Sequence, residues 1–150
     1  MDLTSTYEFN APVDRVWELL MNTSAIGNCL PGCRGLEPIG EDKYEVELNV
    51  AVAAIAGNFK GTVSLAEKTP PRSYMLMIEG TGRQGFVKGH ARVELEPKGD
   101  NTTVLVTAQA DVGGMIARVG QRLLSGVART TMDRFYACLG KQLTGDSPSG

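Results

Sequence analysis

Residues 44–112 alternate between apolar and polar positions with a period of two, which is typical of β-strands that bury one face. The apolar face of the first such run comprises Tyr44, Val46, Leu48, Val50 and Val52. Further strands are predicted over residues 59–65, 74–79, 87–96 and 103–112. Short turns join neighbouring strands, so the pattern favours an antiparallel meander over the alternating strands and helices of a parallel sheet.

The segment before this region predicts one strand and two helices. Residues 3–9 alternate and form a short strand, after which Asn10 is expected to cap a helix of about three turns. The apolar stripe of this helix comprises Val13, Val16, Trp17, Leu20 and Met21. A second short helix is predicted over residues 23–28. Residues 29–35 are predicted as a loop, because Pro31 and the glycine after it interrupt regular structure.

Helical spacing returns near the end of the chain and predicts one long helix over residues 115–142. Gly120 and Gly126 are expected to interrupt this helix without ending it. Its apolar stripe comprises Ile116, Val119, Leu123, Leu124 and Val127, and a stripe on the opposite side comprises Arg118, Arg122 and Arg129. The domain is therefore predicted to span residues 1–143, and residues 144–150 are predicted to form a flexible tail.

Together these elements predict an α+β helix-grip fold, in which a curved antiparallel sheet wraps around the long C-terminal helix. Side chains alone seldom fill the space between such a sheet and helix. An internal hydrophobic cavity is therefore expected, and it is the default ligand site. Methionines and flat aromatic rings are most often part of a plain core, but they also line adaptable apolar pockets. The predicted lining comprises Trp17, Phe59, Met75, Met77, Phe86, Val119, Gly120, Leu123 and Val127.

Composition and charge narrow the classes of partner. The chain has 150 residues, which fits one domain, and its net charge of −2 excludes an overall electrostatic footprint for nucleic acid or anionic lipid. The arginine stripe is therefore either a solvated helix face or a local docking surface for an acidic partner or lipid headgroups. No signal peptide and no apolar run of ~18–20 residues is present, so a soluble cytoplasmic protein is expected.

Candidate chemistry is sparse. Three cysteines in a domain of this size favour reduced thiols that pack or anchor a loop over a disulfide framework. Cys29 and Cys33 lack the further ligands that zinc needs, so no metal is expected. Gly80, Gly82 and Gly85 match the dinucleotide fingerprint by letters. A strand follows them instead of the helix that would hold a pyrophosphate, so a turn or bulge is predicted there.

Two alternatives to a binding module stay open. A small cavity enzyme, of the cyclase or hydrolase type, would need His90, Tyr74 or Glu79 inside the pocket with a shifted pKa. His90 is the single histidine and has no nucleophile motif near it in the sequence, so a solvated or cavity-rim position is favoured. The other alternative is a scaffold whose core is filled and which holds no ligand.

Four stretches together resemble a known family. They are residues 12–17, residues 29–33 (Cys-Leu-Pro-Gly-Cys) with 35–42, residues 82–89 and residues 112–123. Over about residues 3–140 the chain resembles the carbon monoxide dehydrogenase CoxG family, within the START/Bet v 1-like (SRPBCC) superfamily. The resemblance implies the helix-grip fold, a hydrophobic cavity, and a non-enzymatic accessory role without a covalent cofactor.

The resemblance also implies a partner, a cytoplasmic molybdenum hydroxylase of the carbon monoxide dehydrogenase type. The family is expected to recruit that enzyme to the inner face of the cytoplasmic membrane, where its electrons enter the respiratory chain. A respiratory quinone or a lipid is then the expected ligand, with a peripheral membrane contact, and a ligand-free scaffold for dehydrogenase assembly is the alternative. Family members often continue into a hydrophobic C-terminal segment. This sequence ends in a Ser/Gly/Pro tail, so either truncation or attachment without a tail anchor is expected.

Overall fold

The computed structural model describes residues 1–51 and 56–143, and the predictions for Val52 and for residues 144–150 lie outside the described residues. The strands in this part are β1 (Asp2–Phe9), β2 (Cys33–Gly40), β3 (Lys43–Val50), β4 (Gly57–Thr69), β5 (Ser73–Gly82), β6 (Gly85–Lys98) and β7 (Asn101–Gly113). The helices are α1 (Val13–Leu20), α2 (Thr23–Cys29), a 3₁₀ helix (Met115–Val119) and α3 (Gln121–Leu143). This arrangement confirms the predicted α+β helix-grip class.

The strands form one antiparallel sheet in the order β1-β7-β6-β5-β4-β3-β2. Strands β2 to β7 follow one another as the predicted meander, and β1 pairs with β7 at the other edge. Leu76 lies opposite Ala91, which lies opposite Ala108, and all three belong to the hydrophobic core. Every second residue of each strand, counted from these three positions, therefore lies on the inner face of the sheet, and the residues between them point outward.

Strand β2 lies where the sequence predicts a loop up to residue 35. It pairs with β3, with register shifts near Gly35 and between Pro38 and Gly40. Glycine and proline replace the apolar positions that would reveal alternation, and pairing with β3 supplies the hydrogen bonds instead. The loop prediction is therefore wrong from Cys33 onward.

The two short helices begin differently from expectation. Pro12 precedes α1 without any side-chain cap, so the predicted capping role of Asn10 is wrong, and α1 has 8 residues. Asn22 caps α2, where its side-chain oxygen accepts a hydrogen bond from the Ala25 N–H at 3.1 Å. The second helix is confirmed, with its end at Cys29.

The predicted long helix is divided at Gly120. A 3₁₀ helix covers Met115–Val119, and α3 starts only after Gly120, whose φ of +94° is accessible to glycine but strained for other residues. Gly126 lies inside α3, as expected. Among the described residues, no helix combines the length and the apolar character that crossing a bilayer requires.

Large side chains fill the core at one end of the sheet. Its fully buried members are Val16, Val93, Thr102, Val104 and Leu139, and the hydroxyl of Thr102 donates a hydrogen bond to the Ala11 carbonyl at 2.8 Å. A smaller cluster around Ile116 and Leu124 lies beneath the first turns of α3. The two clusters divide α3 into a firmly packed end and a lightly packed end.

A disulfide joins α2 to the packed end of α3. Cys29 and Cys138 are bonded, with Cα atoms 5.4 Å apart and a sequence separation of 109, while Cys33 is free. The expectation that all three cysteines are reduced thiols is therefore wrong. The pairing depends on how α2 packs against α3, which the spacing of the cysteines along the sequence does not reveal.

Candidate functional site

A groove of about 710 Å³, open to solvent, runs along the lightly packed end of α3. Its lining comprises Pro31, Val119, Arg122, Leu123, Gly126, Val127, Thr130, Thr131 and Arg134. All of these except Pro31 and Val119 belong to α3. The volume lies within the ~300–1,000 Å³ typical of small-molecule sites.

Helical geometry arranges the lining in two rows. Residues four apart lie above one another on a helix. The apolar row of α3 comprises Leu123, Val127 and Thr131, whose hydroxyl donates to the Val127 carbonyl at 2.8 Å, and Val119 of the 3₁₀ helix precedes this row. The polar row comprises Arg122, Gly126, Thr130 and Arg134. Val127 and Thr131 are half-buried, whereas all four residues of the polar row are exposed, so the groove has an apolar wall with a basic margin.

Pro31 lines the groove from the loop after α2. Contacts of the chain directly before and directly after Pro31 fix its position. Next to it, Gly32 has a φ of +75°, and a Cβ at this position would collide with the carbonyl oxygen of Asn49. The Asn49 N–H donates to the Gly32 carbonyl at 2.8 Å. The disulfide of Cys29 holds the preceding helix end against α3. The Cys-Leu-Pro-Gly-Cys run therefore shapes a wall of the groove.

The groove brings together three of the predicted lining residues, Val119, Leu123 and Val127. Gly120 ends the 3₁₀ helix beside them and is not part of the lining. Phe59 packs in the cluster beneath, and it also lines a separate pocket of about 570 Å³. Trp17 packs edge-on against Tyr74 in the main core, with ring centroids 5.6 Å apart.

The predicted lining is wrong for Met75, Met77 and Phe86, because they lie on the outer face of the sheet. Met77 pairs with exposed His90, and the side chains of Met77 and Phe86 are 47% and 48% exposed. The physical reason is that alternate residues of a strand point to opposite faces of the sheet. Strand β5 is apolar on both faces, so its alternation does not reveal which face points inward.

The predicted arginine stripe is not one surface. Arg122 lines the groove, whereas Arg118 is exposed on the 3₁₀ helix. Arg129 is held against β1 instead, where its guanidinium donates to the Ser5 hydroxyl at 2.8 Å and to the Thr4 carbonyl at 3.4 Å. Sequence reasoning missed Arg134, although it follows Leu123 by eleven residues, about three helical turns, and this spacing would have indicated a shared face.

The groups that an enzyme would need do not meet. His90 and Glu79 are exposed on the outer face of the sheet, and the Glu79 carboxylate lies 3.6 Å from the Lys88 ammonium. Tyr74 is buried, and burial raises the pKa of its hydroxyl well above the usual range for tyrosine. None of these residues lines the groove.

The other candidate motifs are structural. The segment from Gly82 to Gly85 connects β5 to β6, which confirms the predicted turn in place of a pyrophosphate-binding helix. In the described ranges, no group of three or more His, Cys, Asp or Glu side chains is placed to hold a metal. The groove along α3 is therefore the candidate site.

Comparisons with known proteins place this architecture in a family. The family model that describes the CoxG subunit of carbon monoxide dehydrogenase matches residues 6–144. The crystal structure of a conserved protein from Geobacillus kaustophilus is similar over 97% of this chain and 96% of that chain, with 34% identity and a TM-score of 0.94. No curated protein matches the chain.

Two further solved structures share the fold at low identity. A START superfamily protein from Mycobacterium smegmatis has 13% identity and a TM-score of 0.78, over 96% of this chain and 97% of that chain. The di-domain ARO/CYC protein BexL has 13% identity and a TM-score of 0.65, over 91% of this chain and 45% of that chain. Both likenesses show the fold alone. The family match over residues 6–144 goes further, and the chain belongs to the carbon monoxide dehydrogenase CoxG family.

Proposed function

We propose that this protein is a non-enzymatic accessory protein that holds a hydrophobic ligand, a quinone or a lipid, in the groove along α3. In this role it links a molybdenum hydroxylase of the carbon monoxide dehydrogenase type to the membrane respiratory chain. The observation that carries the proposal is the apolar row of α3, which stays open to solvent opposite Pro31 in a chain of this family.

The exposed apolar side chains support a binding role. Leu123 is 41% exposed although it belongs to the apolar row. A ligand that covers Leu123 and Val127 removes this surface from water, which contributes ~25 cal/mol per Å² of apolar area. Binding of an apolar ligand in the groove is therefore more favourable than filling the groove with water.

The ligand is tested by extracting purified protein with organic solvent and identifying co-purified molecules by mass spectrometry, followed by uptake of added menaquinone or phospholipid. Val127→Trp fills the groove and is expected to abolish uptake while the protein stays folded. Met77→Trp is the matched control, because it adds the same ring on the outer face of the sheet, and it is expected to leave uptake unchanged. A folded Val127→Trp variant with normal uptake would contradict the placement of the ligand. Wild-type protein that neither carries nor takes up a ligand would contradict the binding role.

The partner is tested separately by mixing the protein with a purified carbon monoxide dehydrogenase-type molybdenum hydroxylase from the same source. We expect the two to elute together in size-exclusion chromatography. Separate elution, with and without the ligand, would contradict this part of the proposal.

A further inference from the structure

The groove carries an arginine near each end of its α3 wall, since Arg122 lies beside Leu123 at the N-terminal end and Arg134 lies at the C-terminal end. Leu123 and Val127 form its apolar part, and Thr130 and Arg134 lie toward the C-terminal end of the groove. From Leu123 to Arg134 the helix rises roughly 16 Å at 1.5 Å per residue. At ~100° per residue, Leu123, Val127, Thr130 and Arg134 lie within about 60° of one another around the helix axis, whereas Arg122 lies about 100° from Leu123. A chain on Leu123 and Val127 with its head at Arg134 therefore follows one face of α3.

All charged side chains in the lining are positive. The lining contains Arg122 and Arg134 and no acidic side chain. Within residues 1–51 and 56–143, neither arginine has an ion pair or a hydrogen bond. By contrast, Arg129 on the same helix is held by Ser5 and Thr4 of β1. The groove thus presents cationic donors without a protein partner beside an apolar wall.

Neither feature alone indicates a ligand, since exposed arginines are ordinarily solvated and single exposed leucines are common. Their combination is selective. A guanidinium forms paired, charge-assisted hydrogen bonds with a carboxylate or phosphate, and an alkyl chain covers the apolar row. An anionic amphiphile satisfies both walls at once, whereas the carbonyl or hydroxyl oxygen of an uncharged ligand accepts a weaker hydrogen bond and leaves the guanidinium charge without a counter-charge.

We propose that the groove selects a single-chain amphiphile with an anionic head, a carboxylate or a phosphate. The head binds Arg134 and Thr130, and the chain extends along Val127 and Leu123. This inference rests on the proposed ligand-holding function and names the class of ligand. It also assigns Arg134 as a specificity-determining residue.

The test compares three probes of equal chain length on delipidated protein: palmitate, hexadecyl phosphate and hexadecanol. We expect palmitate or hexadecyl phosphate to bind at least about tenfold more tightly than hexadecanol, because a hydrogen bond to a charged group contributes about that factor. Comparison of the two anionic probes identifies which head is preferred.

Arg134→Gln is expected to weaken binding of the preferred anionic probe about tenfold and to leave binding of hexadecanol unchanged. Arg118→Gln is the matched control, because it removes the same charge from the neighbouring 3₁₀ helix outside the groove, and it is expected to leave both probes unaffected. Equal affinity of wild-type protein for all three probes would overturn the inference. So would a loss in Arg122→Gln that is absent in Arg134→Gln, since it would place the head at the opposite end.

The outcomes separate this inference from the proposed function. If menaquinone binds in the groove and none of the three probes does, the anionic class is wrong and the ligand-holding role stands. If neither menaquinone nor any probe binds, and Val127→Trp matches wild-type protein in every assay, both are wrong.

Discussion

The two ends of α3 are built from one helix but packed differently. At the C-terminal end, Leu139 is 0% exposed, Tyr136 stacks on Tyr7 with ring centroids 4.3 Å apart, and Cys138 is bonded to Cys29. At the N-terminal end, Leu124 is buried but Leu123 is 41% exposed. One end holds the helix to the fold, and the other leaves apolar surface available.

The opposing sheet explains the difference. Beneath the C-terminal end, its inner face carries large side chains such as Tyr74, Val93 and Leu95. Near the N-terminal end, the register places Gly80 opposite Gly61, and Gly89 opposite Ala110, on the inner face. Glycine and alanine offer little to pack against, so this end of α3 is lightly held. The turns of α3 that stabilise the fold are therefore not the turns that line the groove.

The largest expected effect is in the packed end. Leu139→Ala is expected to lower the free energy of unfolding by about 2–5 kcal/mol, because it removes buried volume and leaves a cavity. Leu123→Ala, the same substitution in the groove, is expected to lower it by about 0.5 kcal/mol or less. Urea denaturation followed by circular dichroism measures both. Equal losses would show that the two ends of α3 do not differ in packing.

Removing the disulfide at the packed end of α3 is expected to have the next largest effect on stability. Cys138→Ser is expected to lower the free energy of unfolding by about 2–4 kcal/mol, because the bond closes a long loop in the unfolded chain. Cys33→Ser, which removes the free thiol, is expected to change it by about 0.5 kcal/mol or less. A reductant lowers the stability of wild-type protein toward that of Cys138→Ser. Unchanged wild-type stability in reductant would contradict a stabilising bond.

The smallest expected effect depends on pH. Burial, and then the nearby Tyr74 and Tyr7, raise the pKa of Tyr136 well above its usual value of 10.0. A raised pKa in the folded state means that the neutral hydroxyl contributes stability below pH 10, and this contribution is lost as the pH rises through the folded pKa. Tyr136→Phe is therefore expected to unfold at nearly the wild-type temperature at pH 8 and to lose less stability at pH 11. Parallel loss in both proteins would contradict the assignment.

Sequence reasoning succeeded where one periodicity dominates. The strands from β3 to β7 and the amphipathic character of α3 follow from spacing, and Leu123 and Val127 were placed correctly on one face of α3, whereas Val119 lies on the 3₁₀ helix before it. It failed for β2, where Pro38 and the glycines on either side hide the alternation. Pairing with β3, rather than local preference, makes that segment a strand.

By itself, the sequence determined the fold class, the family resemblance and the apolar row of α3, because local periodicity and short motifs encode them. The tertiary structure decided which face of β5 points inward, since both faces are apolar and only packing against the helices distinguishes Leu76 from Met77. It also decided the pairing of Cys29 with Cys138 and the convergence of Pro31 with Arg134. These contacts join residues about a hundred positions apart, and they form only when helix and sheet pack together.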